Sequence, residues 1–310
     1  MPQRMLAGLS VLVAIFAAAP WWMPPWMLFI ASGALAKGMA ALGLMLLLRG
    51  GLVSFGHALY FGIGAYAAGL LVLSGITEFL ALAVLGTLAT LLVAVILGAF
   101  VSRYRGIFFG LLSMALSMVF YGLLIKMQSL GSSDGFNLGG IHLLSIPMQG
   151  TAGQVPTYLM TLVLSVLAAI GIDKFLRSRY GLLTKALRDN ELRVEYLGQS
   201  VRQLVLLNYI IAAGLAGLAG VLSAVAVGHI GPEMAYWSTS GEFVFMVILG
   251  GLGHVAAAFI GAGVLSAVQA VAYAVAPNSW QFIVGASLLA CIVFLPEGLW
   301  SLLKRFGRRA

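Results

Sequence analysis

Charge is what this chain has least of. Nine acidic and 17 basic residues among 310 make 8%, against roughly 25% in ordinary soluble domains, and a surface so poor in charge cannot be kept in water. There is one cysteine, Cys291, and it lies inside an apolar run, which excludes an intrachain disulfide and argues against a structural thiolate metal site. The four histidines, His57, His142, His229 and His254, are scattered, and no two share metal-ligand spacing. No Walker-type phosphate loop, HExxH motif or nucleophile elbow occurs, so the chain has no machinery for hydrolysing ATP, and no cofactor is implied. Apolar/polar alternation is also missing, which excludes a membrane β-barrel.

What remains is apolar. Hydrophobic residues make up 62% of the chain, gathered in uncharged runs of about 20 residues, the length that crosses a bilayer as a helix. Backbone groups cannot face lipid unpaired, so these runs are helical. The expected fold is an all-α polytopic bundle, one transmembrane domain over 1–310, with ten spans near 5–20, 27–48, 52–73, 79–101, 107–127, 155–173, 205–227, 241–252, 255–275 and 281–298. The first run, from Arg4 to Ala17-Ala18-Ala19-Pro20, resembles a signal peptide. Pro20 directly after the small residues disfavours cleavage, so it is kept as a span. The run 241–252 is too short to cross alone and reads as a tilted partner of its neighbour or a re-entrant half-helix.

Positive residues orient the bundle, because loops rich in Lys and Arg stay in the cytoplasm. With both termini inside, all of the 17 basic residues except Lys37 and Lys126, hence 15, fall on the cytoplasmic side. The net charge of +8 is therefore a topology signal, with no nucleic-acid patch. The loop at about 128–154 then faces outward, and the hydrophilic segment 174–204 faces the cytoplasm. In that segment Leu183, Leu187, Val194 and Leu197 recur at helical spacing, with Arg188, Asp189, Glu191 and Glu195 around them. The pattern predicts one short amphipathic helix ending at Gly198, suited to lie in a partner's groove or on the membrane surface.

Glycine is abundant, 39 residues, and packing helices closely is its usual role in lipid. Ser54-Phe55-Gly56-His57 and Gly250-Gly251-Leu252-Gly253-His254 stand apart, since each falls at an inward-facing hairpin and places a histidine at the start of a span. Glycine-interrupted segments of this kind point to a translocation pathway. Gly56 and Gly253 are expected where helices pack closely beside it, together with Gly62, Gly64 and Tyr66. Lys37 stands alone in mid-span, and is read as paired with a structural acceptor rather than as a functional charge. Glu242 is expected at the outer membrane interface.

Gly51-Leu52-Val53-Ser54-Phe55-Gly56-His57 through Phe61-Gly62-Ile63-Gly64-Ala65-Tyr66 resembles the branched-chain amino acid permeases, within the larger group that includes ribose-type permeases. So do Arg105-Gly106-Ile107-Phe108-Phe109, Ser133-Asp134-Gly135-Phe136, Arg179-Tyr180-Gly181, Leu187-Arg188-Asp189-Asn190-Glu191, Gly214-Leu215-Ala216-Gly217-Leu218-Ala219-Gly220 and Leu295-Pro296-Glu297-Gly298-Leu299. The arginine-glycine-aromatic motif and the outward Ser-Asp-Gly, with Asp134 and Gly135, resemble the M-type subunit. Ala256-Ala257-Ala258-Phe259 departs from the Gly-Pro usual after Gly-Gly-Leu-Gly.

The resemblance implies a non-enzymatic, channel-forming subunit of an ABC importer in the bacterial inner membrane, carrying branched-chain or related amino acids. Its implied partners are a related second permease, two cytoplasmic ATP-binding subunits, an extracytoplasmic substrate-binding protein and membrane lipid. Arg188, Asp189, Asn190 and Glu191 are implied to belong to the helix that docks on an ATPase, with Leu187 and Val194 buried against it and Glu195 and Gly198 completing it. Urea, short amides or sugars are alternative cargoes. An ion-coupled secondary transporter is the rival class, against which stands the near absence of Asp and Glu from the central spans.

Overall fold

A computed structural model describes residues 16–295 and 298–301. Eleven α-helices occur among them. They are α1 (Pro25–Arg49), α2 (His57–Leu73), α3 (Phe79–Val101), α4 (Gly106–Lys126), α5 (Gly150–Arg177), α6 (Arg179–Asp189), α7 (Glu191–Tyr196), α8 (Val201–Val227), α9 (Trp237–Gly250), α10 (Val255–Val275) and α11 (Trp280–Phe294). Six, namely α1, α3, α4, α5, α8 and α10, are long and apolar enough to cross a membrane, while α2 and α11 are shorter apolar helices. The chain is thus a mostly α-helical, polytopic membrane protein.

Nine of the ten expected spans coincide with a helix. The first, 5–20, lies almost wholly outside the described residues, and of it only the end is seen, where Tyr158 of α5 donates to the Phe16 carbonyl over 2.9 Å. Two boundaries shift for local reasons. α2 begins at His57 rather than 52, because Gly51 turns the chain at φ 77° and residues 52–56 are not helical but lie against Gly110 and Ser113 of α4. α5 starts at 150 and continues to Arg177, so it absorbs the beginning of the hydrophilic segment and shortens the 128–154 loop. α9 has 14 residues, about 21 Å at 1.5 Å per residue, short of the roughly 30 Å hydrocarbon core.

α8 and α1 form the centre, with α2, α3 and α10 around them. Small residues set these contacts. Gly64 of α2 lies on the Gly217 backbone of α8, and Gly220 lies under the Phe61 carbonyl, so neither position has room for a Cβ. Gly62 abuts Ala235, whose methyl would be 2.8 Å from an added Cβ. Such approach maximises dispersion contact where lipid supplies no hydrophobic drive.

The connections sort into two opposite ends. At one, the turns after α1 and α3 meet α6 and α7, with Arg188 beside Gly51 and Arg105 paired with Glu191 at 2.9 Å; there Arg202 of α8 also donates to the Ala99 carbonyl at 3.0 Å, and Arg49 reaches the Leu252 carbonyl of the turn after α9. At the other, β1 (Phe136–Asn137) pairs antiparallel with β4 (His229–Ile230), and β2 (His142–Leu143) pairs with β3 (Ile146–Pro147). There Glu78 also lies 3.6 Å from His142. No contact among these joins a turn of one end to a turn of the other.

Candidate functional site

At the first end three pieces of chain converge: the α1–α2 turn, the α9–α10 turn and the α6–α7 segment. In the first turn, Ser54 is buried and its hydroxyl accepts from the Gly56 amide at 3.2 Å. The Phe55 amide donates to Ser113 Oγ of α4 at 3.2 Å. An added Cβ at Gly56 would sit 2.5 Å from the Ser113 carbonyl oxygen, so the close packing expected at Gly56 is present. His57 opens α2 and is buried. Among the described residues neither of its ring nitrogens has a hydrogen-bond partner. Further along α2, the buried Tyr66 ring meets Phe136 of the opposite end edge to face, with centroids 5.9 Å apart.

The second turn differs from expectation. Gly250 and Gly251 are buried but Gly253 is exposed. Close contacts in this region are made by Gly250 on the Ala257 carbonyl and Gly261 on the Met246 carbonyl. The physical reason is that α9 ends at Gly250 and Gly251 reverses the chain at φ 93°, which carries residue 253 beyond the packed region. His254 caps α10, its Nδ1 accepting from the Ala256 amide at 3.1 Å, and its ring stacks on Trp300 at 4.6 Å. The Leu299 amide donates to the Leu249 carbonyl at 2.8 Å, which holds the described end of the chain on this turn.

Arg49 ties the two turns together. Its Nε and Nη2 both donate to the Leu252 carbonyl, at 3.0 and 2.6 Å. An arginine at a helix C-terminus suits the helix dipole, and here the same guanidinium also satisfies a turn carbonyl on another element.

The hydrophilic segment 174–204 holds two short helices, α6 and α7, where one was expected. Asn190 leaves the helical region and its side chain accepts from the Arg193 amide at 3.3 Å, capping α7, an instance of the local bonding that places Asn at helix starts. The break turns the apolar residues to different sides. Leu183, Leu187 and Val194 are buried within this chain, while Leu182, Leu192, Tyr196 and Leu197 are exposed. The expectation that Leu187 and Val194 meet a partner is corrected: they pack inward, with Leu187 against the Gly50 region and Arg188 beside Gly51. Asp189, Asn190, Glu195 and Gly198 are exposed, and Glu191 is held by Arg105. Thr184 of α6 and Asn208 of α8, both buried, hydrogen-bond each other at 2.9 Å.

At the opposite end Asp134 is exposed and accepts from Ser133 Oγ at 3.0 Å. Gly135, at φ 68°, fits beneath the Ile230 carbonyl.

Lys37 finds its acceptor: Nζ lies 3.0 Å from Glu242 Oε2 of α9. Glu242 is therefore paired with the middle of α1. Sequence reading also missed Arg49, Thr184–Asn208 and the buried Tyr60–Tyr209 hydroxyl pair at 2.8 Å. All join residues distant in the chain, and no local signal marks them. Among the described residues no three His, Cys, Asp or Glu side chains gather as a metal site.

The family model described as "Branched-chain amino acid transport system / permease component" matches residues 26–293. The permease protein LivM of Escherichia coli K12 is 31% identical over 142 residues, 46% of this chain and 33% of LivM. LivH of Salmonella typhimurium is 27% identical over 139 residues, 44% of this chain and 45% of LivH. BraD of Pseudomonas aeruginosa is 28% identical over 151 residues, covering 47% and 49% of the two chains. Each of these proteins carries the printed name of a high-affinity branched-chain amino acid transport system permease. The match spans a third to a half of each relative's length. No solved structure matches the chain.

Proposed function

The chain belongs to the branched-chain amino acid transport system permease family, and from that premise we propose that it is an M-type subunit of an ABC importer carrying branched-chain or related amino acids. It works with a second, related permease, two cytoplasmic ATP-binding subunits and an extracytoplasmic binding protein, in the bacterial inner membrane. It spans the membrane ten times with both termini in the cytoplasm, and the three-piece end lies on the cytoplasmic side. The sorting of turns into two ends and the distribution of basic residues support that orientation.

The observation that carries the reading is the α6–α7 pair. Its inner side is fastened to the bundle by Thr184–Asn208, Arg105–Glu191 and the buried Leu187 and Val194. Its outer side exposes Leu182, Leu192, Tyr196 and Leu197. An element rigidly joined to spans on one side and apolar on the other transmits the motion of whatever docks on it. ATP is hydrolysed by the docked subunits, and this chain contributes the lever and the path.

The test is co-expression of the chain with the ATPases, second permease and binding protein of its own operon, followed by uptake of radiolabelled L-leucine, L-isoleucine and L-valine. ATP-dependent accumulation of at least one of them, lost when this chain is omitted, is the expected result. Accumulation that does not depend on this chain, or none of any of the three, would refute the assignment.

A further inference from the structure

Lys37 is twelve residues from either end of α1, so it sits near the centre of the bilayer. Glu242 is the sixth residue of α9. Every other charged side chain in α1–α5 and α8–α11 lies within five residues of a helix end, as Glu242 does on the short α9, so Lys37 alone stands in mid-helix and Glu242 meets it there. The two thus form a lone ion pair at membrane depth. A charge there is costly unless it faces a partner or a water-filled path.

This pair is not sealed inside the chain: its side chains keep 29% and 30% of their exposure. The other side of α9 is closed, since Ser240 Oγ accepts from the Ala58 amide at 2.8 Å and Phe243 packs edge to face on Phe61 at 5.3 Å. One side of α9 therefore holds the bundle together, while the side bearing Glu242 opens outward from the subunit at a depth where lipid does not tolerate charge.

We infer that the Lys37–Glu242 pair lines the translocation path and engages the charged ends of a zwitterionic α-amino acid, the ammonium of Lys37 meeting its carboxylate and the carboxylate of Glu242 meeting its ammonium. This rests on the importer reading above and names the part of the path that handles the cargo's polar end. An isolated charge of either sign would attract one end of a zwitterion and repel the other. A pair has no net charge, satisfies itself when empty, and can exchange its internal bond for two external ones of similar kind. Binding is consequently weak, as passage requires.

Two measurements on the assembled complex test it, in a Cys291→Ser background that removes this chain's one cysteine. The first is L-leucine uptake by the double variant Lys37→Met with Glu242→Gln, which leaves no unpaired charge and keeps the side-chain volumes. A purely structural pair tolerates this change, whereas a cargo contact predicts at least a tenfold fall in uptake with unchanged amounts of assembled complex. The second is labelling of Phe245→Cys, one turn from Glu242 on the exposed side of α9, by a cationic thiol reagent. Excess L-leucine is expected to slow that labelling, and L-leucinol or 4-methylpentanoate, each with one charge only, is not. The protection is expected to vanish in the double variant.

Uptake within twofold of wild type in the double variant overturns the inference alone, as does absence of labelling at Phe245→Cys, which would mean a dry interface. Equal protection by the singly charged compounds overturns the zwitterion assignment. A wild-type complex that accumulates no L-leucine, L-isoleucine or L-valine sinks the importer reading and this inference with it.

Discussion

Replacing Leu192 and Tyr196 together by serine is expected to release the ATPases while leaving the bundle intact. The two lie four residues apart on α7, hence on one side of that helix, and they are 60% and 87% exposed. Complete burial of such a side chain is worth roughly 1.5–3 kcal/mol. Scaled by the exposed fractions, the pair contributes about 2–4 kcal/mol to docking before ordering costs. At 1.4 kcal/mol per factor of ten, that corresponds to a loss of roughly 30-fold to several hundred-fold in affinity for the partner.

The comparison that makes the result interpretable is Val194→Asp. Val194 is 0% exposed, so a carboxylate there is buried without a partner, which destabilises by about 3 kcal/mol or more. The expected outcome is a lower Tm of the purified subunit for Val194→Asp and an unchanged Tm for the serine pair. Co-purification of the ATPases, with ATP hydrolysis stimulated by the loaded binding protein, reads the docking itself. Should the serine pair retain both ATPases and full stimulated turnover, the exposed side of α6–α7 is not the docking surface, and the mechanical argument above fails.

The orientation predicts that Ser133→Cys reacts with an impermeant thiol reagent on intact cells and Ser200→Cys does not, both positions being exposed; the opposite pattern inverts the topology. Gly64→Ala is expected to lower Tm by an amount matching the 1–3 kcal/mol typical of overpacking or more, because its methyl would enter the Gly217 backbone, while Gly253→Ala, at an exposed turn, leaves Tm unchanged. Thr184→Val strands the Asn208 amide and is expected to cost about 1–3 kcal/mol; Thr184→Val with Asn208→Leu recovers most of it, and a double variant no more stable than the single would show that the two side chains do not act as a unit.

The helices were legible in the sequence because a bilayer imposes a local rule. A run of about 20 apolar residues has one viable conformation in lipid wherever it occurs, and so nine expected spans coincide with helices. Each cluster of Lys and Arg acts on its own neighbouring spans, so the sequence by itself carries an expected sidedness, which the thiol labelling above tests. What happens at the ends of helices depended on contacts that no local rule supplies. Asn190 splits the hydrophilic segment because its side chain caps α7, and that break decides that Val194 points inward and Leu192 and Tyr196 outward. Periodicity alone placed Leu187, Val194 and Leu197 on one stripe. Gly250 makes a close contact because α9 stops where it meets Ala257, and Gly251 turns the chain so that Gly253 is exposed. The acceptor of Lys37 lies 205 residues away: sequence sufficed to say that a lysine in mid-membrane requires one, because desolvated charge demands compensation, but only the packing of α9 against α1 decided that it is Glu242.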